Sequence, residues 1–246
     1  MNVALFCHSF VSDWNHGNAH FLRGIASELR ARGHRVACYE PADAWSVVNL
    51  LEEDPGRTVA DHLRELARRY PHLDPERYRL DALDLEAELD DVDVVLVHEW
   101  NDPELVRRLG AHRRHCAYTL LFHDTHHRAV TDPAALDRLC LDEYDGVLAF
   151  GDALGEVYER RGWGRRVWTW HEAADVRVFA PQRAEPEGDL VWIGNWGDEE
   201  RTRELHEFLL GPVGDLGLRA VVHGVRYPPQ ARRAVARSGA ALRGWL

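Results

Sequence analysis

Asn2-Val3-Ala4-Leu5-Phe6-Cys7-His8-Ser9 is a nearly continuous apolar run of strand length. Its lack of alternation suits a parallel strand covered on both faces. Outward from it, a polar loop, Asp13-Trp14-Asn15-His16-Gly17-Asn18, leads into a helix over residues 19–32, with Leu22, Ile25, Ala26 and Leu29 on one face. Gly33 stands where a C′ glycine belongs, and residues 34–40 read as a second strand. Strand, helix and strand make a βαβ unit, which implies a parallel sheet with a right-handed crossover. Gly17 and Gly24 do not form G-x-G-x-x-G, so no nicotinamide cofactor is expected. Glu40, at the end of the second strand, is only a weak imitation of a ribose-binding acid.

Residues 41–90 read as a surface excursion, with an amphipathic helix over 58–70 through Val59, Leu63, Leu66 and Ala67. Further strands are expected over residues 92–97, 116–122, 145–150 and 166–170. The strands end in polar or charged residues: His8, Glu40, His98, His123, Asp152 and His171. Ligands of open α/β sheets bind at the carboxyl ends of the strands, so this recurring exit forms a candidate rim. Its densest stretch is Leu120-Leu121-Phe122-His123-Asp124-Thr125-His126-His127-Arg128, where a core strand stops at three histidines, an aspartate and an arginine. Such groups are costly to bury without partners.

The Pro/Glu/Gly-rich residues 180–189 read as a linker between a Rossmann-like domain over 1–179 and a second one over 190–246. In the second, residues 190–193 and 218–223 suit strands, and residues 198–210 a helix N-capped by Asp198. A short helix follows over 228–238. A sheet of so few strands cannot cover both its faces, so this second domain reads as incomplete.

The 246 residues include 41 acidic and 30 basic side chains, every basic one an arginine, for a net charge of -11. With no basic tail, the chain is a poor candidate for nucleic acid or anionic membrane. Cys7, Cys38, Cys116 and Cys140 show no C-x-x-C spacing and read as free thiols. No apolar stretch approaches the ~18 residues of a membrane span, and a cytoplasmic setting is expected.

Two Rossmann-like domains joined by a linker resemble the plan of the GT-B glycosyltransferases. Residues 170–181, with Asp175 and Phe179-Ala180-Pro181, look like the segment that joins the domains in retaining members. Leu190-Val191-Trp192-Ile193-Gly194-Asn195-Trp196-Gly197-Asp198-Glu199-Glu200-Arg201-Thr202 is similar to the opening of their donor domain. Together with His223-Gly224-Val225-Arg226-Tyr227-Pro228 it most resembles the CgeB-like spore-maturation group. The resemblance implies transfer of a sugar from a nucleotide-diphosphate sugar, as co-substrate, to an acceptor it does not identify, without a metal. Asn195 and Arg201 occupy the spacings at which family members place the Arg and Lys that hold the donor diphosphate. The family's carboxylate-rich donor region falls beyond Leu246. The resemblance therefore also admits a non-catalytic sugar-nucleotide-binding module, and partners that include the rest of the donor domain or a second copy of the chain.

The site expected from these readings has His123 positioning a substrate hydroxyl, with Asp124 fixing its tautomer. Asn15, His16, Gly17 and Asn18 precede a helix whose amino end favours anions. His98 and Glu99 are candidate substrate contacts. H-D-x-H-H also invites zinc, yet no further ligand motif accompanies it, so no metal is expected. Trp163, Trp168 and Trp170 read as core.

Overall fold

The computed structural model describes residues 1–14, 16–181, 183–197 and 199–244, with Glu200 described in its backbone only. It divides into two compact units, Met1–Ala180 and Pro181–Leu246. The first holds a seven-stranded sheet of β1 Asn2–Phe6, β2 Arg35–Pro41, β3 Glu76–Tyr78, β4 Val94–His98, β5 Thr119–Asp124, β6 Gly146–Ala149 and β7 Val167–Thr169. All pairs are parallel, in the order β3-β2-β1-β4-β5-β6-β7.

The continuous apolar strands are explained by two cores, one on each face. From β1, Ala4 and Phe6 join Val95, Val97, Leu120 and Phe122 beneath the helices Pro103–Arg113 and Asp152–Arg161. Val3, Leu5 and Cys7 join Val36, Cys38 and Leu96 beneath the helix Asn18–Ala31, which contributes Phe21, Leu22 and Ala26. Gly33 ends that helix at φ +84°, a left-handed turn that glycine enters without a Cβ penalty. The chain reverses order between β1 and β4, so the sheet's topological switch point lies beside the ends of these two strands.

Residues 41–90 are more than a surface excursion. Besides the expected amphipathic helix, Val59–Arg69 with its Thr58/Asp61 capping box, they form the helix Trp45–Glu53, the edge strand β3 and the short helix Leu85–Leu89. Val47 and Leu66 are buried in the second core. Trp168 is a correction: it is 43% exposed and packs over Gly146, whereas Trp163 is buried in the first core. Cys7 and Cys38 are buried, Cys116 is half-buried and Cys140 is exposed, all as free thiols.

The second unit pairs β8 Leu190–Ile193, β9 Ala220–His223 and β10 Ala241–Gly244 in parallel, in the order β10-β9-β8. The helix Glu199–Leu205 continues through a wide turn, His206–Leu210, into Gly211–Leu216, and Pro229–Ser238 leads to β10. Asp198, expected as an N-cap, lies outside the described residues. Val213, Val222, Ala231 and Val235 centre its core, while Val191 and Ile193 on β8 are 63% and 66% exposed.

The loops after β8 and β9 meet backbone to backbone. A Cβ at Gly224 would lie 2.1 Å from the Gly194 carbonyl oxygen, which also accepts from the Tyr227 hydroxyl at 2.9 Å. Gly224→Ala is therefore expected to destabilise this unit by about 3 kcal/mol. Urea unfolding should show its transition moving to lower denaturant while that of Met1–Ala180 stays in place. Among the described residues, no helix is long and apolar enough to cross a membrane.

Candidate active site

The ends of β1, β4 and β5 carry an unusual quantity of buried polar side chains. His8, His16, His98, Glu99, His123 and Asp124 are each no more than 3% exposed. Their rings form a row: His8 to His16 is 5.3 Å between centroids, His16 to His98 5.7 Å, and His98 to His123 5.2 Å. Burial, which penalises the imidazolium, lowers all four: His8 to about 4, His16 and His123 to about 3, and His98 well below its ordinary value. At neutral pH the row is uncharged.

Each ring has a different partner set. His8 Nε2 accepts from the Ser46 N–H at 3.2 Å, and its ring stacks on Trp45 at 4.5 Å. His98 Nε2 lies 2.9 Å from Asn18 Nδ2, which also donates to Thr125 Oγ1 at 2.6 Å. His16 has a buried Nε2 without a partner. His123 has neither ring nitrogen bonded and is enclosed by Phe21, Trp170 and His98.

The expected His123–Asp124 pair does not form, for a reason inherent in a strand. Successive side chains of β5 point to opposite faces. His123 goes with Leu121 toward the helix Asn18–Ala31, whereas Asp124 goes toward the helix Asp152–Arg161. There Asp124 accepts from the Tyr158 hydroxyl at 2.6 Å and from the His126 N–H at 3.0 Å. Burial, then the neighbouring Glu99 carboxylate, push Asp124 up to about 7. Glu99 accepts from the Thr125 N–H and hydroxyl at 2.9 and 2.8 Å and from Arg128 at 2.8 Å. It braces the loop after β5.

Glu40 is also a brace. One of its oxygens accepts from Ser9 Oγ and the N–H groups of Phe10 and Val11 at 3.0, 2.6 and 3.1 Å, and the other from Arg77 at 2.9 Å. Its carboxylate fixes the start of the loop that carries Trp14 and His16. Asn15, a candidate contact, lies outside the described residues.

Above this rim lies a cavity of about 420 Å³, lined by His16, Gly17, Asn18, Trp45, Trp100, Thr125 and His126. Sequence reasoning singled out the first three as substrate contacts and placed Thr125 and His126 in the rim stretch over residues 120–128 without a substrate role; it missed Trp45 and Trp100. Trp100 directly follows His98-Glu99, which is a usable signal. Trp45 belongs to the segment taken as an excursion. Trp100 is held by the Arg128 guanidinium, 4.4 Å from its ring centroid, and by the edge of His126 at 5.1 Å. Among the described residues, no three His, Cys, Asp or Glu side chains converge in a metal-holding arrangement.

In the second unit a cavity of about 870 Å³ is lined by Trp196, Thr202, Arg203, His206 and Arg237 among others. Asn195 is engaged elsewhere, accepting from the Val225 N–H at 3.2 Å. The Arg201 side chain packs over Gly197, whose φ of +79° and missing Cβ make room for it.

No family model matches the chain, and no curated protein matches it. Among solved structures, the whole chain is similar to 68% of an alpha-glucosyltransferase in complex with UDP and a 13-mer DNA containing an HMU base, at 14% identity and a TM-score of 0.59. It is similar to 68% of a glycosyltransferase from Rickettsia africae ESF-5, at 10% identity and a TM-score of 0.60. It likewise matches 66% of a DNA-modifying beta-glucosyltransferase, at 12% identity and a TM-score of 0.52. The chain thus spans about two thirds of the length of these structures. The likeness is one of fold: the chain has the α/β architecture of GT-B glycosyltransferases, a parallel seven-stranded sheet and a second, smaller parallel sheet.

Proposed function

We propose that the chain acts in transfer of a sugar from a nucleoside-diphosphate sugar to an acceptor hydroxyl. The observation that carries this reading is the neutral polar cavity at the switch point between β1 and β4, in a fold otherwise matched over its whole length by glycosyltransferases. In the reaction the acceptor oxygen bonds to the anomeric carbon of the donor sugar. The bond from that carbon to the diphosphate oxygen breaks, the diphosphate leaves with the electron pair, and the hydroxyl proton passes to it. His16, Gly17 and Asn18 face the acceptor, with His98 acting through Asn18. His123 and Asp124 serve as buried supports of the rim.

The diphosphate is assigned to the second unit, where Arg203 and Arg237 line the large cavity and offer fixed cations. This makes a metal unnecessary for charge neutralisation. Arg201, pressed on Gly197, closes the turn beside it. The CgeB-like character of residues 190–202 and a cytoplasmic setting belong to the same proposal.

Calorimetric titration with UDP tests it. Binding is expected, weakened at least tenfold by Arg203→Ala, which is the scale of one charge-assisted contact. Arg201→Ala is expected to weaken it as well. No binding to the intact chain, or binding indifferent to both substitutions, would overturn the donor assignment. Release of UDP from a UDP-sugar then separates turnover from binding alone.

A further inference from the structure

The cavity of the first unit is unusual in its chemistry. Two indoles, Trp45 and Trp100, form part of its wall, and its described polar lining comes from imidazole, amide and hydroxyl groups. None of those lining groups is a carboxylate or a guanidinium. Glu99 and Arg128, close in sequence to the lining residues Trp100 and His126, are bonded to each other at 2.8 Å. His16 and His126 are both lowered by burial, so neither offers a cation at neutral pH. His16 is 3% exposed, and its unpartnered Nε2 belongs to a ring that lines the cavity.

A phosphorylated acceptor or a nucleic acid requires the opposite lining, because neutralising phosphates dominates its binding. A pyranose ring has apolar C–H faces that suit indoles, and a rim of hydroxyls that both donate and accept. Imidazole nitrogens, the Asn18 amide and the Thr125 hydroxyl match such a rim. The cavity's 420 Å³ falls within the ~300–1,000 Å³ of small-molecule sites. We infer that the acceptor is a neutral saccharide whose ring lies against Trp45 and Trp100 while His16 and Asn18 orient its hydroxyls. This rests on the glycosyl-transfer reading given above.

Saturation-transfer NMR on the full chain tests it. The probes are neutral methyl hexopyranosides, methyl N-acetylhexosaminides and their trisaccharides, beside a duplex DNA oligonucleotide and glucose 6-phosphate. Neutral glycans are expected to bind, with Trp45→Ala weakening them about tenfold and Trp45→Phe recovering most of the loss. Trp45 is 37% exposed at the start of its helix, so both variants should fold, and circular dichroism checks this. If no neutral glycan binds the natively folded chain, or if the DNA or the sugar phosphate binds and is lost with Trp45→Ala, the inference falls. A parallel UDP titration keeps the two readings apart. UDP binding without glycan binding overturns the saccharide acceptor alone. Glycan binding without UDP binding removes the transfer reading and the acceptor role with it.

Discussion

Glu40→Ala is expected to lower the melting temperature of the Met1–Ala180 unit by roughly 10 °C. The carboxylate is fully buried and satisfies Ser9 Oγ, two backbone N–H groups and Arg77 at once. Alanine leaves both N–H groups without an acceptor and a guanidinium, 21% exposed, without its counter-charge. Breaking a buried pair from one side costs about 3–5 kcal/mol. In a unit of this size each kcal/mol moves the midpoint by ~2–4 °C. Glu40→Gln keeps one acceptor oxygen and should recover part of the loss. Thermal melts followed by circular dichroism decide the matter, and a midpoint within a degree or two of the parent for Glu40→Ala would show that Glu40 does not hold the loop.

The second large effect is acid instability. His8, His16, His98 and His123 all have folded-state values below the ~6.5 of an exposed imidazole. The unfolded chain takes up these protons first as pH falls. Stability is therefore full above about 6.5 and is lost as pH drops toward 4. Each such group contributes on the order of 1.4 kcal/mol per pH unit through that window. Two of them over two units rival the ~5–15 kcal/mol that holds a typical domain together. Asp124 runs the other way: the folded chain keeps its proton up to about 7, so its contribution is full below the usual carboxylate value and fades as pH rises toward 7. It offsets only part of the histidine loss.

His123→Phe isolates one member of the row. The ring sits among Phe21, Trp170 and His98 with neither nitrogen bonded, so phenylalanine removes a titrating group without breaking a hydrogen bond. The variant should be more stable than the parent at pH 5 and should unfold over a shallower pH range, as urea titrations at pH 5, 6 and 7 will show. A variant less stable than the parent at pH 5 would contradict the assignment of His123 as a buried support.

Much of the first unit is legible in the chain because its strands are uninterrupted and its turns are marked. The apolar residues from Asn2 onward, Gly33 after the helix and the histidines at the strand ends all carry their meaning locally. The helix Pro103–Arg113 is announced by Asp102 as N-cap with proline at N1, a start signal easily passed over between two strands. β3 has three residues and β10 alternates between exposed and half-buried, so neither carries the apolar weight that marks a strand. The site is less legible than the fold. Strand alternation alone separates His123 from Asp124, whereas the meeting of Trp45, His16, Trp100 and Thr125 depends on pairing between segments far apart in sequence. No local pattern encodes that meeting.

The all-parallel sheet bears on how the chain is made. β1 pairs with β2 on one edge and with β4 on the other, Val3 lying opposite both Val36 and Val94. A ribosome releases β1, the helix Asn18–Ala31 and β2 together, so the first edge closes early. The second edge stays open until Val94–His98 has emerged. During that interval a row of unpaired backbone groups on an apolar strand is a template for any neighbouring chain. Pairings this distant in sequence are also slow to form. The nascent chain is thus vulnerable to misassociation until Val94–His98 has emerged, and cooler, slower expression or added chaperone should raise its soluble yield.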